Sequence, residues 1–171
     1  MLKPVSLSKV KSLEDLFDHA LKDIYYAEKK IYKALPKMIQ AAHDDELRQA
    51  LENHRDETEE HIAKVEQIFG LMDKTPKAQK CDAVDGILEE ADGILKDFGE
   101  SETCDAAIIF SGQAVEHYEI TRYGSMHAYA LALGMTEAAE LLASVLEQEK
   151  AADQKLTGLA ENRINHAAEA N

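Results

Sequence analysis

The amino-acid sequence predicts an all-α fold: an antiparallel bundle of four long helices, with a short fifth helix in the crossover between the second and the third. Three observations predict it. Strand signals are nearly absent, for there is little β-branched alternation and no Asn-Gly or Asp-Gly turn joining such runs. Apolar residues recur at helical spacing along almost the whole chain. The links after the first and third long runs are short, whereas about thirty residues separate the second run from the third, as in a bundle with one long crossover.

Each element follows from local signals. Ser12, followed by Glu14 and Asp15, is a good N-cap for a first helix running to about Ala42, with a kink expected at Pro36. Asp44 caps a second helix that ends near Gly70. Lys74-Thr75-Pro76 breaks the chain, and a shorter amphipathic helix carries Val84, Ile87, Leu88, Ala91, Ile94, Leu95 and Phe98, with Gly99 at its end. Ser101 opens the third long helix, which closes at Gly134, and Thr136 caps a fourth that continues to about Asn165. Each half of the chain is a long helical hairpin, although the two halves share little identity. This is the connectivity of the ferritin-like bundles.

Length and composition narrow the function. The 171 residues suit a single domain, 1–171, whose core needs no disulfide staples. A formal charge of -14 repels phosphate backbones and anionic lipid, so neither nucleic acid nor a membrane is an expected partner. The first ten residues, MLKPVSLSKV, lack a long apolar segment, and nowhere else is there an apolar run of about 18 residues, so a cytoplasmic location is expected. Cys81 and Cys104 are too few and too widely spaced for a metal-thiolate motif, and they read as two semi-buried thiols in a reducing compartment.

Chemistry enters on the buried stripes. Walked in steps of three and four, the first helix presents Phe17, Leu21, Ile24, Glu28, Ile31, Leu35 and Met38, a seam broken by one acid. The second presents Leu47, Leu51, His54, Thr58, His61, Val65 and Ile68, with Glu57 on the shoulder of the stripe. The third gives Ile109, Gln113, Glu116, Ile120 and Tyr123, and the fourth gives Leu142, Leu146, Glu149, Asp153, Leu156 and Ala160. Every seam breaks near its middle. In an antiparallel bundle the midpoints lie at one level, so Glu28, Glu57, His61, Glu116, Glu149 and Asp153 are expected to converge on one layer.

A cluster of buried carboxylates costs several kcal/mol unless something compensates it. No Lys or Arg occupies these seams, which leaves protons, water or bound cations. Four or more acids with one or two imidazoles suit a pair of divalent first-row ions, iron or manganese. Di-iron and di-manganese bundles use one Glu from each of two helices and a Glu-x-x-His from each of the others. Glu28 and Glu116 match the single glutamates, and Glu57 and Glu149 those of the pairs. The spacing departs from that pattern: His61 stands four residues after Glu57, and Asp153 stands four after Glu149 where a His is expected.

The chain resembles the YciF-like family of bacterial stress-associated proteins along nearly its full length. The residues that carry the likeness are LEDLFDHALKDIYYAEKKI, HRDETEEHIAKVEQIF, KCDAVDGILEEA, QAVEHYEITRYG and LEQEKAADQKLTGLA. The resemblance implies a ferritin-like fold, a homodimer and a dinuclear metal centre whose reaction is poorly defined.

Around the layer stand candidates with plainer readings. His54 lies about two turns from His61 on the same face, so it is a partner of the ligands or an alternate ligand. Gln113 sits on the seam and Glu60 and Glu119 lie off it; all three are candidates to partner the ligands or to replace one, and solvation is the plainer reading for the two glutamates. Tyr25 and Tyr118 could bond a ligand carboxylate or simply pack as aromatics. His117, with His19, His43, His127 and His166, reads as surface or interface. The leading expectation is a dinuclear non-haem protein, di-iron before di-manganese, acting on dioxygen or peroxide as an oxidase, peroxidase or ferroxidase. The rivals are a non-catalytic metal-binding or structural stress protein and a di-manganese catalase-like enzyme.

Overall fold

The computed structural model describes residues 11–170; the segment MLKPVSLSKV, on which the expectation about an apolar leader falls, lies outside the described residues. The helices are α1 (Leu13–Ala41), α2 (Asp45–Leu71), α3 (Asp82–Phe98), α4 (Cys104–Ala132), α5 (Thr136–Leu159) and α6 (Asn165–Glu169), the last joined to α5 by a π-turn over Ala160–Ile164. None of the helices among the described residues is long and apolar enough to cross a membrane.

Caps set several of these bounds. Ser12 and Asp15 form a capping box at the start of α1, and the Asp44 side chain accepts the Leu47 N–H at the start of α2. Chain ends that the sequence places differently have local causes. Ser101 does not open α4; its hydroxyl donates to the Phe98 carbonyl and meets Thr103 Oγ1, finishing the turn after α3. Thr136 is the first helical residue of α5, preceded by Met135 as cap and by Gly134 at φ +71°, a conformation that favours glycine. At Pro36, where a kink is expected, α1 stays helical on both sides and continues to Ala41. Beyond Leu159 the wider i→i+5 winding keeps Ala160 and Ile164 buried, while Arg163 reaches Asp44 and Glu46 at the start of α2.

The four long helices form a square in the order α1, α2, α5, α4, with each neighbouring pair antiparallel. Cys104, opening α4, abuts the carbonyl of Ala41, closing α1. The crossover helix α3 lies outside the square against α4 and α1. It runs alongside α1, tied by Tyr26 to Asp85 (2.9 and 3.0 Å) and by Lys37 to Asp92 (2.5 Å). Residues from both termini of each long helix fill the two ends of the core, leaving a polar layer at mid-height.

Candidate metal centre

All four long helices contribute to that layer. On α1, Glu28 falls between Ile24 and Ile31, so the stripe that buries those isoleucines buries the carboxylate as well. On α2, His54 and His61 share a face two turns apart, and between them the Thr58 hydroxyl donates back to the His54 carbonyl at 2.7 Å. Glu116 and Glu119 lie one turn apart on α4, and Glu149 comes from α5; all three are buried.

Two overlapping groups result. Glu28, His61, Glu119 and Glu149 can each place one ligand atom within 4.8 Å of the others, and so can His54, Glu116, Glu119 and Glu149. Glu119 and Glu149 belong to both. His61 Nδ1 lies 2.9 Å from Glu149 Oε1 and 3.6 Å from Glu28 Oε1, while His54 Nε2 lies 3.5 Å from Glu116 Oε1 and 4.0 Å from Glu119 Oε2. None is a directed hydrogen bond: three span 3.5 Å or more, and at 2.9 Å the His61 nitrogen and Glu149 oxygen are not aligned for one. The Tyr123 hydroxyl donates to Glu28 Oε1, and its ring packs edge-on to His61 at 6.2 Å.

Electrostatics divide the cluster. Burial alone would lower the His61 imidazole, but the Glu149 and Glu28 carboxylates override it and push His61 up to about 10. It is an imidazolium at neutral pH in the absence of a metal. Glu149 is correspondingly held low: burial raises it, yet His61, with His54, wins. Glu116 and Glu119 are pushed well above the usual carboxylate range, first by burial and then by Glu149 and their other acidic neighbours. Burial, then Glu28, also keeps Tyr123 a neutral donor.

A single imidazolium contact does not satisfy this layer. Glu28 Oε2, Glu116 Oε2, both oxygens of Glu119 and Glu149, and both ring nitrogens of His54 and His61 are buried without a hydrogen-bond partner. Buried polar atoms are rarely left so. The donor set fits two divalent first-row ions: carboxylate oxygens and imidazole nitrogens suit iron and manganese, and four carboxylates balance two such ions with the imidazoles neutral.

The structure brings Glu28, His61, Glu116 and Glu149 together as the seams imply, and adds His54 as a full member. Glu119 corrects the solvated reading: it is 0 % exposed, because the buried face of α4 steps from Glu116 through Glu119 to Tyr123, into the interior shared with Glu28, His61 and Glu149, while Ile120 is only half-buried. Packed against α1, α5 and α3, α4 buries a wide arc. The low amphipathicity of α4, with Ser111, Gly112, Val115 and Tyr118 also buried, was the signal for that arc. Glu57 corrects in the other direction. The seam passes through Thr58, which turns Glu57 away, leaving its side chain 38 % exposed and 4.0 Å from His54 Nδ1.

Asp153 lies outside both groups, where its Oδ1 accepts from Gln113 Nε2 at 3.0 Å and meets His117 Nε2 at 3.2 Å. Gln113 also donates to Thr157. Glu60 is exposed. The Tyr25 hydroxyl is engaged by Glu66 and Lys29, both at 2.6 Å, rather than by the layer. Tyr123 stood on the seam without a role. A cleft of about 350 Å3 between α2 and α5 leads from Glu46, Gln49 and Lys155 at the surface, past Glu57, to His54 and Glu116.

Fold and layer together define a class: a ferritin-like helical bundle with a carboxylate–imidazole cluster buried at mid-height. Residues 12–169 match the family described as Domain of unknown function (DUF892). The chain is 42% identical over 161 residues to Protein YciF of Escherichia coli K12, covering 94% of this chain and 97% of that one. It belongs to this YciF-like family. The crystal structure of the E. coli stress protein YciF superposes with a TM-score of 0.86 at 41% identity, over 91% of this chain and 99% of that one. YcfI from Rhodopseudomonas palustris, described as a candidate structural protein, gives 0.85 at 42% identity over 90% and 98%. A protein from Xanthomonas campestris pv. campestris shares the fold at 21% identity, with a TM-score of 0.74 over 93% and 98%.

Proposed function

We propose that the protein is a dinuclear non-haem metal protein of the stress-associated YciF-like family, with iron as its preferred pair of ions and manganese as the alternative. Glu28 and His61 would hold one ion, His54 and Glu116 the other, and Glu119 and Glu149 would serve both. The observation that carries this reading is the set of orphaned buried oxygens and nitrogens distributed over two groups that share two carboxylates. When bound, the ions would supply redox chemistry toward dioxygen or peroxide.

The chain's own residues prepare that chemistry. His61 gives up its proton when its ring nitrogen ligates, so loading releases protons and strengthens as the pH rises. Tyr123 fixes Glu28 by hydrogen bonding one oxygen, leaving the other free to ligate. The apolar side chains above and below exclude water from the layer. The cleft past Glu57 admits small solutes to the side of His54 and Glu116.

Anaerobic loading with ferrous iron, followed by metal analysis and by dioxygen and peroxide consumption, tests the proposal. The expected result is two ions per chain and consumption that depends on them. A non-catalytic role is the second reading, favoured by the description of YcfI; two ions bound with no consumption of either oxidant would select it. Absence of bound metal would remove the dinuclear reading and leave a structural role without metal.

A further inference from the structure

Ligating side chains also meet outside the mid-bundle layer. Where the α1–α2 turn abuts the first turn of α4, His43, Cys104 and Asp105 each offer an atom within 4.8 Å of the other two. The carboxylate of Asp105 is held in place, for its two oxygens accept the backbone N–H groups of His43 at 2.8 Å and Asp44 at 2.9 Å. Each oxygen keeps a further lone pair. Cys104 is fully buried, with Sγ 3.5 Å from the Ala41 carbonyl, a weak contact that an ion can replace. His43 is exposed, and no hydrogen bond or ion pair among the described residues takes up its ring nitrogens. Local charge is not against a cation: Arg48, Arg163 and Lys155 are paired with Asp44, Asp45 and Glu46, and Asp105 is left without a basic partner among the described residues.

We propose that this corner is a separate mononuclear site for a borderline-soft divalent ion, zinc above all, ligated by Cys104 Sγ, a His43 ring nitrogen and an Asp105 oxygen, with solvent in the remaining position. One thiolate and one carboxylate neutralise the ion, and the thiol proton leaves to solvent as the metal–sulfur bond forms. A thiolate donor favours a sulfur-seeking ion over a hard one such as magnesium. The site shares no residue with the mid-bundle cluster and stands independently of its function. The other thiol, Cys81, has no such cluster of ligating atoms among the described residues, and its sulfur faces the Tyr118 hydroxyl at 3.3 Å.

Cobalt(II) titration of the full-length metal-free protein tests the site, since a near-ultraviolet thiolate-to-cobalt charge-transfer band reports sulfur ligation and carboxylates or imidazoles do not produce it. The band is expected in the parent and in Cys81→Ser, is lost in Cys104→Ser, and is displaced by zinc(II). Because Cys104 is buried, the exposed His43→Ala supplies the second arm, with an expected loss of at least about tenfold in cobalt affinity at the band. Cobalt uptake without the band overturns this site and leaves the mid-bundle reading standing. So does a band that survives Cys104→Ser, or an affinity that His43→Ala does not move.

Discussion

The two ends of the bundle are closed differently. At the end where α4 turns into α5, Phe17, Leu21, Phe69, Met126 and Leu142 have no exposed surface. At the other end Leu35, Met38, Leu51, Leu156 and Ala160 each keep a few per cent, and the α2–α5 cleft runs in past Leu51 and Leu156. His61 and Glu28, facing the closed end, are 0 % exposed, whereas the side chains of His54 and Glu116, facing the open one, retain 7 % and 5 %. Both sides of the layer are desolvated, but access comes by way of the cleft on the side of His54 and Glu116.

The largest effect expected from this contrast is on packing. Leu21→Ala at the closed end should cost about 2–5 kcal/mol in chemical denaturation, and Leu51→Ala beside the cleft should fall near the bottom of that range; equal losses would break the comparison. Next comes the polar layer itself. Glu119→Leu should raise the stability of the metal-free protein by about 1–4 kcal/mol while abolishing the loading of both ions, as read by melts and metal analysis. Glu119 is the better choice than Glu28, whose removal would strand Tyr123 and His61.

The pH response ranks third. In the metal-free protein His61 holds its proton more tightly folded than unfolded. Its stabilising contribution is whole below about 6.5 and is lost as the pH rises toward about 10. Glu116 and Glu119, also raised, act in the same direction, while Glu149, lowered, loses its contribution only in acid. Denaturation midpoints taken across this alkaline range should decline, and should decline less after His61→Gln. The smallest effect belongs to the cleft: Glu57→Ala should change stability by no more than about 0.5 kcal/mol and leave the final metal content intact. Stopped-flow loading should nonetheless slow if the cleft is the route in.

Much of this was legible in the sequence because one rule governs it. A helix must bury a stripe, so an acid inside the stripe at Glu28, Glu116 or Glu149 announces itself. The rule fails where a helix has more than two neighbours. Glu119 lies off the seam that the sequence suggests for α4, and with α1, α5 and α3 all packed on that helix the buried arc is too wide for one walk to select Glu119 over Ile120. It fails again at the shoulder of a stripe, where the sequence does not say which flank faces a neighbour and which faces a cleft, and Glu57 took the second. The corner of His43, Cys104 and Asp105 was invisible for another reason: residues 61 and 62 positions apart meet only once the antiparallel pairing of α1 and α4 is known.

Two carboxylates belong to both halves of the mid-bundle layer, so two ions bound as proposed would be thermodynamically coupled. An occupant on one side reshapes the field and the oxygen geometry offered to the other. Saturation should then depart from a simple hyperbola, and the half-filled species should be either scarce or unusually persistent.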